Sequence, residues 1–338
     1  MHTLLANGQA GAAIPSRSTA RLTAHRTHTI ERCPRVGSPD PAHSSIGDTL
    51  TPRELPQHEG MATGREQALV DWLRARGSVL IGYSGGVDSA YLAAVALDTL
   101  GAERTIAVIG RSASYPEAQW AAARRIADQI GLPVREVATD EMSDPRYAAN
   151  PSNRCYFCKT ELWSRLIPLA RELGIDTVVD GTNADDVQGH RPGMLAAREW
   201  GVASPLAEVG LRKADIRERS AVRGLPTWDQ PSSPCLSSRL PTGIAVTPLR
   251  LARVEAAEQA VRALGVRGDL RVRYHGDTAR VEMTAEELDA WRVSGRRGVL
   301  RDAVVGAGFA RVELDLRGFR SGMTDQPVDP DSLDVLEA

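Results

Sequence analysis

Two adjacent glycines between an apolar run and a helical pattern are typical of a loop that binds phosphate groups. The run is Val79–Gly82, and the helical pattern begins near Ala90. Because glycine has no Cβ atom, an anion can approach the backbone, and the following helix N-terminus offers free N–H groups and a partial positive charge. Asp88 could hold Mg²⁺ on the phosphate oxygens. The predicted pyrophosphate-binding residues are Ser84, Gly85, Gly86, Asp88 and Ser89.

This loop does not have the Walker spacing, which is Gly, four residues and then Gly-Lys-Ser/Thr. No lysine follows the glycines. On residue types alone, an ordinary glycine-rich turn between a strand and a helix remains an alternative. The order Ser-Gly-Gly-x-Asp-Ser after a buried strand is more specific, because it resembles the ATP pyrophosphatase (PP-loop) superfamily. That resemblance implies cleavage of ATP into AMP and pyrophosphate, with adenylation of a carboxylate or carbonyl oxygen.

Two further polar features could serve the same nucleotide. A segment after a predicted strand offers groups for Mg²⁺, adenosine or the reacting centre: Asp180, Asn183, Asp185 and Asp186. Lys213 starts a cation-rich helical pattern and could reach the β- or γ-phosphate. A surface turn with a helix cap and a solvated helix face, respectively, are the alternatives that residue types leave open.

Cys155 and Cys158 form a C-x-x-C motif, followed directly by Lys159. The motif could be half of a zinc site, a pair of iron–sulfur ligands, a redox dithiol or two buried thiols. A structural zinc site takes four ligands, usually as two spaced pairs, and the sequence has no second pair. Its role therefore stays open.

Cys235 lies in an irregular segment with proline and serine on both sides, which indicates a loop rather than a helix or strand. Arg239 follows four positions later. A thiol beside a cation favours the thiolate, which is the nucleophilic form. Free cysteines are more often inert, but a loop thiol after an adenylating domain indicates sulfur chemistry.

The composition excludes several classes of protein. The chain has 338 residues, with 42% hydrophobic and 25% charged residues, as in a soluble globular protein with room for two domains. A net charge of −2 gives no support for bulk nucleic-acid binding. No apolar run approaches the ~18 residues of a membrane helix. Four cysteines without a credible signal peptide indicate a reducing cytoplasm.

The order of strands and helices predicts a doubly wound, parallel α/β sheet, because buried strands alternate with helical stretches. The predicted strands lie near 79–82, 105–109, 134–137 and 177–179. Ligands bind outside the carboxyl ends of such strands, where the glycine loop would lie. Residues 1–60 are rich in Pro, Ser, Thr and Arg without periodicity, which predicts a disordered extension.

The segment after Pro248 predicts a small α+β domain with a hairpin turn at 275–277. Arg271 and Arg273 lie on one face of a predicted strand, where both could bind the phosphate of a substrate; two solvated arginines on an edge strand are the alternative. Arg320 is a further candidate. The expected organisation is an extension (1–60), a PP-loop domain (61–228), a sulfur-donor loop with the α+β domain (229–325) and a flexible tail (326–338).

Six motifs occur in an order that resembles the ATP-dependent sacrificial sulfur transferases of the LarE type. They are Cys-Tyr-Phe-Cys-Lys (155–159), Gly-Thr-Asn-Ala-Asp-Asp (181–186), Lys-Ala-Asp-Ile-Arg (213–217), Leu-Pro-Thr-Trp-Asp (225–229), Pro-Cys-Leu-Ser-Ser-Arg (234–239) and Gly-Phe-Arg-Ser-Gly (318–322). The resemblance covers roughly residues 61–324. It implies a homo-oligomer that acts with other enzymes of nickel-pincer nucleotide biosynthesis, in the maturation of lactate racemase.

The resemblance also implies a substrate and a reaction. The substrate is pyridinium-3,5-biscarboxylic acid mononucleotide, whose carboxylate is adenylated by ATP and Mg²⁺. The Cys235 thiolate then displaces AMP, and cleavage of its Cβ–S bond leaves the sulfur on the product and dehydroalanine in the protein. Arg239 and Lys159 are implied to support this chemistry.

Four alternatives remain open. Some relatives are thought to hold a [4Fe–4S] cluster on three cysteines, which here would be Cys155, Cys158 and Cys235. A tRNA thiolation enzyme would need a basic face or an RNA-binding module, and an amidotransferase would need a Cys–His glutaminase unit; neither is evident. A non-enzymatic nucleotide sensor is a further possibility.

Overall fold

The computed structural model describes residues 55–188, 191–293, 295–320, 325 and 328–337. All of these belong to one compact unit. Of the extension predicted for residues 1–60, residues 1–54 lie outside the described part of the chain. The remaining residues belong to the first helix, which begins at Leu55.

Four parallel strands form the sheet of the N-terminal half. They are β1 (Val79–Gly82), β2 (Thr105–Arg111), β3 (Val134–Ala138) and β4 (Thr177–Val179). In space they run in the order β3-β2-β1-β4. The central strand β1 pairs with both β2 and β4, so that Val79 lies between Thr105 and Thr177.

Helices cover both faces of this sheet. The helices of this half are α1 (Leu55–Arg76), α2 (Val87–Leu100), α3 (Glu117–Ile130), α4 (Pro145–Ala148), α5 (Arg154–Glu172), α6 (Pro192–Glu199), α7 (Pro205–Glu208) and α8 (Lys213–Val222). Successive residues of a strand point to opposite faces. Accordingly Ile81 packs in one core with Leu92 of α2, whereas Leu80 packs in another with Trp163 of α5. The predicted doubly wound parallel sheet is confirmed.

A second, four-stranded sheet forms the C-terminal half. Its elements are α9 (Pro248–Ala263), β5 (Leu270–His275), β6 (Thr278–Met283), α10 (Ala285–Val293), α11 (Arg297–Gly306), β7 (Arg311–Asp315) and β8 (Leu333–Val335). The strands run in the order β5-β6-β7-β8, with an antiparallel hairpin between β5 and β6. Helix α9 packs on this sheet through Leu251, Val254 and Val261. The small α+β fold predicted after Pro248 is confirmed.

The end of the chain differs from the prediction of a flexible tail after residue 325. Leu333–Val335 forms β8, which pairs antiparallel with β7. Leu336 is buried in the C-terminal core. This short segment is ordered because it pairs with the edge of β7, whose backbone N–H and C=O groups would otherwise have no strand partner. Among the described residues, no helix has the length and apolar character that crossing a membrane requires.

Candidate active site

A cavity of about 500 Å³ opens at the carboxyl ends of β1 and β4. Ligands of parallel sheets bind at this edge, beyond the ends of the strands. Many of the residues that the sequence predicted for nucleotide binding line this cavity, namely Ser84, Gly86, Asp88, Ser89, Asp180 and Asp186. Helix α5 contributes Cys155 and Lys159 to the same wall.

The loop between β1 and α2 has a shape that requires glycine. Gly85 has φ +67°, and a Cβ atom added there would lie 2.3 Å from the Cβ of Ala123 in α3. Ser89 donates its hydroxyl to the carbonyl of Gly86 at 3.2 Å, and its oxygen lies 3.2 Å from the hydroxyl of Ser84. The loop is therefore held close to α3, with its hydroxyls and the start of α2 at the cavity.

Asp88 presents a buried carboxylate oxygen without a partner. Lys213 donates to its Oδ2 at 2.7 Å, whereas Oδ1 is buried and has no hydrogen-bond partner in the described part of the chain. Burial raises the pKa of Asp88, whereas Lys213 and the nearby Asn183 side chain, which does not meet hydrogen-bond geometry at Oδ1, oppose that shift. A buried acceptor without a partner is costly. A cation held at Oδ1 would satisfy it.

These residues fit Mg²⁺ bound together with a nucleotide. Mg²⁺ usually takes one or two carboxylates, substrate phosphates and several waters. The described residues contain no group of three or more His, Cys, Asp or Glu that could hold a metal ion by themselves. Asp88 therefore fits a metal that arrives with ATP rather than one in a complete protein cage.

The segment after β4 is ordered by its own polar side chains. Asp180 accepts hydrogen bonds from the hydroxyls of Thr182 and Ser204, at 2.9 and 2.8 Å. Asn183 accepts from the backbone N–H groups of Asp185 and Asp186. These contacts give Asp180 and Asn183 a clear structural role in shaping the cavity wall.

Asp185 and Asp186 have cationic neighbours instead. The Lys213 backbone N–H donates to Asp185 at 2.8 Å, which ties the start of α8 to this segment. Asp186 forms an ion pair of 2.6 Å with Arg191. Arg191 and Asp186 both line the cavity, so charges of both signs are available to a nucleotide.

Three thiols from two distant segments converge. Burial raises the pKa of Cys155, although this residue is partly exposed, and Cys235 raises it further. Burial also raises the pKa of Cys158, with additional contributions from Glu141 and Cys235. Arg154 interacts electrostatically with all three cysteines. The C-x-x-C motif and the loop cysteine, which the sequence did not place together, therefore share one neighbourhood.

Cys158 and Cys235 both line a small cavity of about 140 Å³. Its wall also includes Ser84 and Lys159, which line the larger cavity as well. Glu141 is the carboxylate in its wall. The phosphate-binding loop and the Cys235 side chain thus lie at adjoining cavities, with Lys159 common to both.

Hydrogen bonds fix the Cys235 loop to the N-terminal half. The backbone N–H of Leu236 donates to the carbonyl of Ser114 at 2.8 Å. The hydroxyls of Tyr147 and Ser237 lie 2.7 Å apart, and Arg154 donates to the Ser237 carbonyl at 3.0 Å. This loop, expected to be irregular, contains a short 3₁₀ turn at Leu236–Arg239.

Arg239 makes contacts that the sequence did not predict. It was expected as the cation beside the Cys235 thiol, but its side chain is buried and forms a bidentate ion pair with Glu258. Its remaining hydrogen bonds go to the carbonyls of Pro234 and Cys235 and to the Ser238 hydroxyl. Arg154 and Lys159 are cations that act on the thiols of the C-x-x-C motif.

The candidate phosphate-binding arginines differ from one another. Arg273 is buried and forms an ion pair of 2.9 Å with Glu282, which is also buried. Arg271 is buried, donates to the carbonyls of Leu270 and Ser232, and has a pKa lowered to about 10, first by burial and then by the nearby guanidinium of Arg239. Arg320 is exposed.

Of the two β5 arginines, Arg271 is the one that lines a cavity, whose wall also carries the carboxylates Glu255 and Glu258. It lines a cavity of about 570 Å³ with Arg239 and Arg262. Burial also lowers the pKa of Arg262. An anionic group bound in this cavity would oppose the effects that lower both values.

The three thiols do not form a ready metal site in the described residues. Cys155, Cys158 and Cys235 are not arranged as the common ligands of one ion. We therefore assign no resident metal or cluster to them. Any sulfur chemistry proposed at Cys235 must account for the two thiols near it.

Sequence reasoning missed two residues of this site. Arg154 directly precedes Cys155, so its proximity to one cysteine was readable, but its contact with the Cys235 loop was not. Glu141 had no sequence signal, because it lies in a short 3₁₀ turn after β3 without a motif. Its burial appears only when the chain is folded.

A known protein family and several known proteins are similar in sequence to this chain. Residues 66–162 match the family model described as NAD synthase. The matched part contains the glycine loop and the C-x-x-C motif. An uncharacterized protein of Synechocystis sp. is 44% identical over 243 residues, which cover 72% of this chain and 90% of that protein.

Two relatives have named activities. The pyridinium-3,5-bisthiocarboxylic acid mononucleotide synthase of Lactiplantibacillus plantarum is 34% identical over 258 residues, covering 76% of this chain and 92% of that enzyme. A tRNA-specific 2-thiouridylase of Mycobacterium sp. (strain KMS) is 26% identical over 313 residues, covering 73% of this chain and 85% of that enzyme. The first relative is more similar and matches almost to its full length.

Proposed function

Because the chain belongs to the LarE-type family of ATP-dependent sulfur transferases, we propose that it converts pyridinium-3,5-biscarboxylic acid mononucleotide to a thiocarboxylate. The product would enter nickel-pincer nucleotide biosynthesis together with other enzymes of that pathway. The observation that supports this reaction best is the position of Cys235. Its side chain lines a cavity whose wall includes Ser84 of the phosphate-binding loop and Lys159.

The first step is adenylation of a substrate carboxylate. The loop of Ser84–Ser89 would hold the phosphates of ATP, and Asp88 would hold the Mg²⁺ that neutralises their charge. Lys213 and Arg191 supply positive charge beside the leaving pyrophosphate. Asp185 and Asp186 position these two cations. Adenylation replaces a poor leaving group by AMP and makes the carboxyl carbon a good electrophile.

The second step is attack by Cys235. The thiol loses its proton, its sulfur bonds to the carboxyl carbon and AMP leaves, so that a thioester joins the enzyme to its substrate. Arg154 holds a positive charge next to this loop, where it donates to the carbonyl of Ser237 at 3.0 Å. Cleavage of the Cβ–S bond then releases the thiocarboxylate and leaves dehydroalanine at position 235.

The substrate phosphate is proposed to bind at Arg271. This guanidinium lines the 570 Å³ cavity with Arg239 and Arg262, and its hydrogen bonds go to backbone carbonyls. Arg273 would support the site through its pair with Glu282 rather than by direct contact. Arg320, which is exposed, would contact the substrate only at the edge of the site.

The convergence of the three thiols favours one second candidate. In that reaction Cys155, Cys158 and Cys235 would have to rearrange from their described positions to hold a [4Fe–4S] cluster that supplies the sulfur, and the protein would keep its cysteine. The two candidates share the adenylation step. They differ in whether Cys155 and Cys158 are needed.

A single-turnover reaction with ATP, Mg²⁺ and the mononucleotide separates the candidates, when pyrophosphate, product and the intact mass of the protein are followed together. We expect the wild-type chain to become lighter by one H₂S as product forms. Cys235→Ala should release pyrophosphate but form no thiocarboxylate. Cys158→Ala is the matched control, because it removes a neighbouring thiol from the same cavity.

Two results would contradict the proposal. Product formation by Cys235→Ala would exclude Cys235 as the sulfur-bearing residue. Product formation at unchanged protein mass, lost in Cys158→Ala and dependent on iron, would support the cluster reaction instead.

A further inference from the structure

The backbone carbonyl of Cys235 accepts three hydrogen bonds. Its oxygen accepts from the backbone N–H of Ser238 at 3.0 Å and from the Ser238 hydroxyl at 2.8 Å. The third donor is the guanidinium of Arg239, at 3.1 Å. Arg239 is 2% exposed, so a nearly solvent-free cation points at the carbonyl of the residue that is proposed to react.

The last step of sacrificial transfer places negative charge on this oxygen. When a base removes the Cα proton of Cys235, the electron pair delocalises toward the carbonyl next to Cα. Preorganised donors at an oxygen that gains charge stabilise the transition state most effectively where water is excluded. Resting on the proposed sacrificial reaction, we propose that Arg239 and Ser238 form an oxyanion hole for the carbonyl of Cys235 and thereby promote the elimination that yields dehydroalanine.

The ion pair with Glu258 fits this role. Glu258 contacts Nε and Nη2 of Arg239, at 2.9 and 3.1 Å, whereas Nη1 is the atom that reaches the carbonyl of Cys235. The carboxylate fixes the orientation of the guanidinium and compensates its buried charge. The donor is thus in place before any charge develops.

Glu141 is the proton acceptor that the structure offers. It is 2% exposed and lines the same small cavity as Cys235. The hydroxyls of Ser112 and Ser114 both donate to its Oε1 at 2.6 Å. The carbonyl of Ser114 in turn accepts from Leu236, directly after Cys235, so one residue ties this carboxylate to the reacting backbone.

The elimination is balanced without an oxidant or a reductant. The Cα proton of Cys235 moves to Glu141, and the Cα–H electron pair becomes the Cα=Cβ double bond. The Cβ–S bond breaks, and the sulfur leaves with that electron pair as the thiocarboxylate of the substrate. The protein retains dehydroalanine, and Glu141 retains one proton.

Ser238→Ala tests this role, because it removes one donor and keeps the buried ion pair. In a single turnover with ATP, Mg²⁺ and pyridinium-3,5-biscarboxylic acid mononucleotide, we expect pyrophosphate release and thioester formation to change little. Loss of H₂S from the protein should slow about 100-fold, so that the covalent enzyme–substrate adduct accumulates in the mass spectrum.

Ser237→Ala is the matched control. It removes the hydroxyl of the preceding residue, which contacts Tyr147 and not the carbonyl of Cys235. A purely structural role of the loop would slow adenylation, thioester formation and elimination together. Selective slowing of elimination by Ser238→Ala but not by Ser237→Ala supports the oxyanion hole; equal slowing by both would overturn it.

Two further variants test the remaining groups. Arg239→Lys keeps a cation but not its fork of donors, and should also accumulate the adduct. Glu141→Gln keeps the size of the side chain without its basicity, and should do the same; elimination at the wild-type rate would exclude Glu141 as the acceptor.

The failures of the two proposals are distinguishable. Wild-type product without loss of H₂S would overturn the sacrificial reaction and the oxyanion hole with it. If Ser238→Ala and Arg239→Lys lose H₂S as fast as the wild type does, only the oxyanion hole is overturned.

Discussion

Among single residues, Asp88 is notable because the two oxygens of its carboxylate have different surroundings. One carboxylate oxygen is bound by Lys213, and the other is buried without a partner in the described part of the chain. Such an arrangement costs stability in the free protein. It would become favourable on binding of Mg²⁺ and nucleotide phosphates, as the proposed adenylation step requires.

Asp88→Asn should therefore lower pyrophosphate release on the order of 100-fold, because an amide is a much weaker Mg²⁺ ligand and leaves Lys213 without its counter-charge. The rate is measured with ATP and the mononucleotide over a Mg²⁺ titration. Asp98→Asn on the same helix, at an exposed carboxylate that pairs with Arg223, is the control. A wild-type rate in Asp88→Asn would remove this residue from the metal site.

At the scale of elements, the start of α2 is placed by the loop before it. Gly85 adopts a positive φ and approaches α3 so closely that no side chain fits. Gly86, next to it, has φ −80° and an open position, where an added Cβ would lie 3.5 Å from the Ser84 hydroxyl. The two glycines therefore contribute differently.

Gly85→Ala should lower the free energy of unfolding by about 1–3 kcal/mol, because of backbone strain and the contact with Ala123. Gly86→Ala should change it by less than about 1 kcal/mol. Urea unfolding followed by tryptophan fluorescence measures both. Equal destabilisation by the two variants would contradict the different roles of the glycines.

Helix α5 is the element that would join the two proposed chemical steps. It carries Cys155, Cys158 and Lys159 along its first turns, and Arg154 at its first residue. Lys159 lines both cavities, and Cys158 lines the one that contains Cys235. One helix thus brings nucleotide and sulfur chemistry within reach of each other.

For the whole molecule, Glu66 ties three helices together. It accepts hydrogen bonds from Tyr91 of α2 and from Arg219 and Arg223 at the end of α8, although it belongs to α1. Burial alone would raise the pKa of Glu66, but these donors outweigh it and lower the pKa to about 2. The ionised carboxylate is therefore bound more tightly in the folded chain than in the unfolded one.

The sign of the pH effect follows from the lowered pKa. The stabilisation is complete above the unfolded pKa of 4.5 and is lost as the pH falls toward about 2. Wild type should exceed Glu66→Gln in the free energy of unfolding by about 3 kcal/mol near neutral pH, and the difference should shrink below about pH 4.5. Urea unfolding at several pH values measures it. Glu103→Gln, at an exposed carboxylate, should show no such dependence.

The local order of the chain determined much of the fold and of the nucleotide site. Apolar runs of strand length alternate with helical periods, and this alternation predicts a parallel sheet whose binding edge follows β1. The Ser-Gly-Gly turn could be recognised because its conformation depends on adjacent residues, above all on Gly85. Pro116 directly precedes α3, at a position where proline favours the start of a helix.

Only the tertiary structure decided which distant residues meet. Cys235 lies beside Cys158, Arg154 and Glu141, because packing of the Cys235 loop against the N-terminal half brings these segments together. Arg239 and Arg273 are buried in ion pairs with Glu258 and Glu282, which no local pattern of the sequence indicated. A local pattern shows which faces of a strand are polar, but not whether another segment covers them. Periodicity and turns are encoded by neighbours in the chain, whereas burial and charge pairing depend on contacts between segments far apart in it.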